Sequence, residues 1–153
     1  ARILELLKEM GIQRIQAWSA ECLPQAVTNA LLQAGVSLQT EPDPHIQAGL
    51  TGVRAAVAGT GSLALASAPG QPLTASLLPE IHIACLQAEA IVPTLADLLR
   101  QPWVSQSANT VLISGPSRTA DIEMTLTIGV HGPKQLIVVC IDEPPSPLGR
   151  RSG

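Results

Sequence analysis

The run Ile81-His-Ile-Ala-Cys-Leu86 sets the firmest limit on what this chain can fold into. It is nearly apolar throughout and has strand length, so it reads as a strand buried on both faces. Thr110 to Ser114 and Gln135 to Ile141 read as two more buried strands. About twenty residues separate these two, enough for the crossover that parallel neighbours require. Helical patterns alternate with such strands. Ile3, Leu4, Leu7 and Met10 recur at helical spacing and Gly11 closes the segment, while Leu23 to Ala34 carries Pro24 in its first turn and Gly35 as its stop. Arg14 to Trp18 and Val36 to Thr40 suit short strands, and Glu41 to His45 is a loop by composition.

The middle of the chain adds a different unit. Val53 to Ala68 suggests two adjacent strands around the Gly59-Thr60-Gly61 turn, followed by a turn at Pro69 to Pro72. Thr94 opens a short helix with Asp97 in capping-box position, and Leu95, Leu98 and Leu99 are expected to form its core stripe. This alternation predicts an α/β three-layer sandwich with a mostly parallel sheet. No repeat or second boundary is visible. Residues 1–142 are expected to form a single domain and the Pro-rich residues 143–153 a loose tail.

Composition closes off several classes of function. A net charge of −3 and only two aromatic residues, Trp18 and Trp103, give neither a basic footprint nor a stacking platform for nucleic acid. The longest low-charge stretch, Ala55 to Ala68, is broken by glycines and serines and falls short of a membrane span. The N-terminus lacks a basic leader, so no signal peptide is expected, and because it starts without Met the natural chain is expected to be longer. Cys22, Cys85 and Cys140 are widely separated with no CxxC pair. No iron–sulfur cluster or structural zinc is therefore expected from this chain, and the thiols read as core residues of a cytosolic protein.

The densest polar cluster is Gly115-Pro-Ser-Arg-Thr-Ala-Asp-Ile-Glu123, directly after a strand. Ligands of open α/β sheets bind at the carboxyl ends of strands, where loop amides and helix N-termini converge. Arg118, flanked by Ser117 and Thr119, is suited to a bidentate hold on a carboxylate or phosphate. The competing reading is a weak surface pair with Asp121, or simple capping by Thr119 and Asp121. Asp121 to Ile128 alternates as a strand would, but Ile122, Leu126 and Val130 also keep helical spacing, and a short crossover helix is expected. Thr60, Gly61 and Ser62 form a second cluster able to bring backbone amides close to an anion, although such a turn is commonly just a hairpin. His131 is a candidate proton carrier in a Gly-Pro loop, with Lys134 as a possible anion contact. His82, inside the apolar strand, reads as a satisfied core histidine.

These residues resemble the LUD family, the lactate-utilisation domain, in its protein C branch. The resemblance is carried by SGPSRTADIEMTLTIGVHGPKQLIVV (Ser114 to Val139). It is supported by GLTGVRAAVAGTGSLAL (Gly49 to Leu65) and LLPEIHIACLQAEAIVPTLADLL (Leu77 to Leu99), and covers about two-thirds of the chain. It implies the fold shared with ribose-phosphate isomerase, glucosamine-phosphate deaminase and coenzyme A transferases. It also implies a bacterial, cytoplasmic system that oxidises L-lactate to pyruvate, in which partner subunits carry the iron–sulfur clusters. The family commonly has Glu before Thr-Gly-Thr/Ser, whereas this chain has Gly59.

That substitution moves weight from catalyst to binding subunit. The expected function is an accessory, ligand-binding subunit without independent turnover and without a cofactor or metal of its own. The expected site joins Thr60, Gly61 and Ser62 to Gly115, Ser117, Arg118, Thr119 and Asp121, with Glu123 and His131 as the candidate proton-transfer groups. The alternatives are a stand-alone transferase or isomerase acting on a CoA ester or sugar phosphate, by fold analogy, and a non-catalytic interaction domain.

Overall fold

In the computed structural model, residues 2–116, 118–120, 126–128 and 132–142 are described, with 118–120 and 126–128 as backbone alone. The first unit starts with α1 (Arg2–Glu9), whose Ile3 and Leu7 are buried. Gly11 takes a left-handed φ of 67° and turns the chain into β1 (Arg14–Ala17). Helix α2 (Gln25–Gln33) follows, capped by Pro24, and leads to β2 (Ser37–Gln39). Three further strands, β3 (Ala48–Gly52), β6 (Ile81–Gln87) and β11 (Gln135–Ile141), complete a five-stranded sheet in the order β11-β6-β3-β1-β2. Every pairing in it is parallel.

β3, not foreseen as a strand, lies at the centre of this sheet and is buried along its whole length. Its glycines are demanded by packing. A Cβ on Gly49 would overlap the carbonyl oxygen of Ala75 in α3 (Thr74–Leu77), and one on Gly52 would stand 3.1 Å from the Trp18 ring. Ile15, Leu50 and Ile83 are fully buried across β1, β3 and β6. Each such side chain contributes about 1.5–3 kcal/mol relative to exposure.

A second, four-stranded sheet runs in the order β7-β4-β5-β8. It comprises β4 (Ala55–Val57), β5 (Ser62–Ala66), β7 (Ile91–Val92) and β8 (Thr110–Ile113). β4 and β5 form the expected antiparallel pair around the Gly-Thr-Gly turn. The capping box of α4 (Leu95–Leu99) is present, with Thr94 Oγ1 accepting from the Asp97 amide at 3.2 Å. Only Leu98 of its three leucines is core, however. Leu95 and Leu99 are exposed, because the small apolar cluster beneath, Ala55, Val57 and Ala64, meets one face of a short helix.

Two topological expectations are corrected. β8 and β11 are not neighbours: β8 pairs antiparallel with β5, whereas β11 pairs parallel with β6. Neither is fully buried, since each closes one edge of its sheet and packs less completely than a central strand. The expected crossover helix also fails. Leu126–Ile128 forms a strand, β10, antiparallel to β9 (Arg118–Ala120), so the polar–apolar alternation prevails over the helical spacing. Residues 143–153, the expected tail, lie outside the described residues.

Candidate functional site

The second sheet brings the 60–62 turn beside Ser114, which the sequence reads as the end of a strand and not as a site residue. Because Leu63 of β5 pairs with Ile113 of β8, the residues just beyond this pair, Ser62 and Ser114, meet at one end. Their hydroxyl oxygens stand 2.7 Å apart, and Thr60 Oγ1 lies 2.8 Å from Ser62 Oγ, giving a chain of three hydroxyls. Gly61 makes the turn at φ 68°, donating its amide to the Val57 carbonyl at 2.8 Å. Gly115, at φ 101°, continues from Ser114 in a conformation that L side chains rarely adopt.

Ser114 and Gly115 line a cavity of about 210 Å³ together with Ser76, His82, Gly132 and Pro133. His82 is fully buried, and its Nε2 lies 2.8 Å from Thr51 Oγ1. Its Nδ1 is buried without a hydrogen-bond partner among the described residues, so it is only half satisfied. Burial lowers its pKa from 6.5 to about 4, which keeps the imidazole neutral at pH 7.

Arg118 and Thr119 open β9, which is described as backbone only, and Ser117, Asp121, Glu123 and His131 lie outside the described residues. Lys134, foreseen as an anion contact, instead donates to Glu80 Oε1 at 2.7 Å in an exposed ion pair. Of the cysteines, only Cys85 is core, and burial pushes its thiol up to about 12. Cys22 is half-buried and Cys140 is exposed on an edge strand. Among the described residues no cluster of three or more His, Cys, Asp or Glu is placed to hold a metal ion. No helix there is long and apolar enough to cross a membrane.

Sequence reasoning missed a second cavity, of about 320 Å³, at the carboxyl ends of β1, β3 and β6. Trp18, Glu21, Arg54, Gln71 and Gln87 are among the residues that line it. The Oε1 atoms of both glutamines are buried and have no hydrogen-bond partner among the described residues. The Arg54 guanidinium lies over the Trp103 ring, 5.4 Å from its centroid. No motif spacing links these residues, so only the fold brings them together.

A parallel α/β sheet with clustered loops at its strand ends is a fold that hosts many activities and by itself names none. Residues 41–141 match the LUD domain model, and the chain belongs to that family. It is 38% identical over 101 residues to lactate utilization protein C of an Exiguobacterium species, covering 62% of this chain and 44% of that protein. The Bacillus pumilus protein of the same name is 36% identical over 94 residues, covering 57% and 39%. An uncharacterised protein of Neisseria meningitidis serogroup B is 36% identical over 106 residues, covering 67% and 46%. The chain thus spans less than half the length of these curated relatives. A crystal structure of a DUF162 family protein from Deinococcus radiodurans aligns with a TM-score of 0.54 at 24% identity, over 89% of this chain and 92% of that one, and shares the fold.

Proposed function

We propose that this chain is the ligand-binding LUD domain of a bacterial, cytoplasmic lactate-utilisation system, holding a small carboxylate or phosphate between the loops at 59–62 and 114–119. The observation that carries this reading is the 2.7 Å contact between Ser62 and Ser114, which joins two loops that are 52 positions apart in the chain. The family match and the protein C relatives support the lactate setting. In this reading the hydroxyl chain, which keeps one proton beyond its two internal hydrogen bonds, and the backbone at Gly115 donate to the anion, and the Arg118 guanidinium neutralises it. Glu123 and His131 serve as the groups that move a proton, if the ligand needs one moved. The family's usual Glu is replaced by Gly59, so the chain acts as an accessory subunit. Electron transfer belongs to partner subunits that carry iron–sulfur clusters.

The test is turnover. The isolated chain, given L-lactate and an artificial electron acceptor, should show no oxidation, while it should bind L-lactate or inorganic phosphate in a titration. Sustained lactate oxidation by the chain alone would overturn the accessory role. Absence of anion binding would overturn the site.

A further inference from the structure

We infer that β11 is a self-association edge, at which two copies of this chain pair their β11 strands antiparallel about a two-fold axis at Val138. Four strands close the edges of the two larger sheets, and three of them are short: β2 has three residues, β7 two and β8 four. β11 has seven, each paired with β6 on one side, and among the described residues no strand pairs with its other side. Native sheets guard a long edge with a Lys, a Pro or a bulge, because its outward N–H and C=O groups template pairing with another chain. β11 carries none of these devices. Its sequence, QLIVVCI, has no charge and no proline, and its register with β6 runs unbroken.

The backbone decides which groups point outward. The Gln135 amide donates to the Glu80 carbonyl at 3.1 Å, so Gln135 faces β6, and Ile137, Val139 and Ile141 face it too. Leu136, Val138 and Cys140 therefore turn their N–H and C=O groups to the open side. Antiparallel pairing about Val138 sets it opposite the partner's Val138, and Leu136 opposite the partner's Cys140. Each such pair exchanges both its N–H···O bonds. The same three side chains share one face of the sheet. Val138 and Cys140 are exposed there, so the pairing covers side-chain surface as well as backbone.

The flanking charges select the occupant and the register. Lys134 and Asp142 bound the strand, and both are exposed. In the two-fold register Lys134 stands opposite the partner's Asp142, and the same pair forms at the other end. Glu80 lies 2.7 Å from the Lys134 ammonium, which has three donors and so can serve a second carboxylate. Opposite charges facing across paired strands are stabilising, and like charges are not. Parallel pairing of the two strands would set like charges side by side, and an antiparallel slip of two residues would part both ion pairs. Identical surfaces meeting about a two-fold axis close into a dimer, with the two five-stranded sheets joined into one.

The experiment is sedimentation equilibrium of the full chain between about 1 and 300 µM, a range that spans weak to moderate association. It is repeated on Val138→Lys, Lys134→Glu, Asp142→Lys and an equimolar mixture of the last two. The parent should show a reversible monomer–dimer equilibrium. Val138→Lys sets two ammonium groups together at the axis and should weaken it about tenfold or more. Each charge variant sets like charges together at both ends and should weaken it about three- to tenfold. Mixing the two restores opposite charges at both ends, and the mixture should associate about as tightly as the parent. All three substituted side chains are exposed, so the variants should keep the parent's far-UV circular dichroism. A chain that stays monomeric to about 300 µM would overturn the proposal and leave the edge to a strand of other sequence. So would association untouched by Val138→Lys, or a mixture that associates no better than its two components.

Discussion

Thr51 Oγ1 lies 2.8 Å from Nε2 of His82, and both side chains are fully buried between the central strands of the parallel sheet. This pair gives the imidazole its one hydrogen bond among the described residues while its pKa is held down to about 4 by burial. Unfolding restores the ordinary value of 6.5. Between these values the unfolded chain binds a proton that the folded chain refuses, so stability rises with pH there. The contribution is complete above pH 6.5 and is lost as pH falls toward 4, amounting to about 3 kcal/mol. Urea unfolding at pH 7, 6, 5 and 4.5 should show this slope, and His82→Gln should flatten it. Thr51→Val should cost about 1–3 kcal/mol at pH 7 by leaving the ring without a partner.

The contact of β3 with α3 predicts a steep glycine dependence. Gly49→Ala puts a methyl into the Ala75 carbonyl, which backbone must move to accommodate, and should cost about 3 kcal/mol or more. Gly52→Ala meets the edge of the Trp18 ring at 3.1 Å, where a side chain can shift, and should cost about 1 kcal/mol. Denaturant midpoints of the two variants check the ranking.

Gly59 invites the reverse substitution. A Cβ there would stand 3.3 Å from the Pro93 carbonyl oxygen, a tight but negotiable approach. Gly59→Glu should therefore fold, with a loss below about 1 kcal/mol. A carboxylate at the head of the Thr60–Ser62 turn should repel an anion and weaken phosphate binding about three- to tenfold. Thermal melts and titration of the variant separate the two effects.

Much of the fold is legible in the sequence because local and tertiary signals agree. Ile81 to Leu86 is apolar and is buried, and Thr94 with Asp97 writes a cap that forms. β3 escapes notice because glycines at 49 and 52, poor strand formers, answer to Ala75 and Trp18 rather than to propensity. Chain length alone cannot tell a crossover from a hairpin, so β8 and β11 were expected side by side, and β9 with β10 fills part of the gap. The 60–62 turn is legible as a polar turn between apolar strands, but its contact with Ser114 is not, because the sequence places Ser114 at the end of a strand. Gln71, in the turn whose Gly70 carbonyl accepts from the Ser19 amide, and Gln87, at the end of β6, line one cavity only through the tertiary fold, which no local pattern encodes.

The central claim, an anion held between the 59–62 and 114–119 loops, is tested most directly by titrating phosphate and L-lactate into the parent, Ser62→Ala, Arg118→Ala and Arg118→Lys, with a thermal melt of each. The account predicts saturable binding by the parent and a loss of about ten- to a hundredfold in Arg118→Ala. Arg118→Lys should recover only part of it, because an ammonium keeps the charge without the planar fork. Melting temperatures of the Arg118 variants should stay near the parent's. Unchanged affinity with a clearly lowered melting temperature would contradict the account and make Arg118 a structural residue.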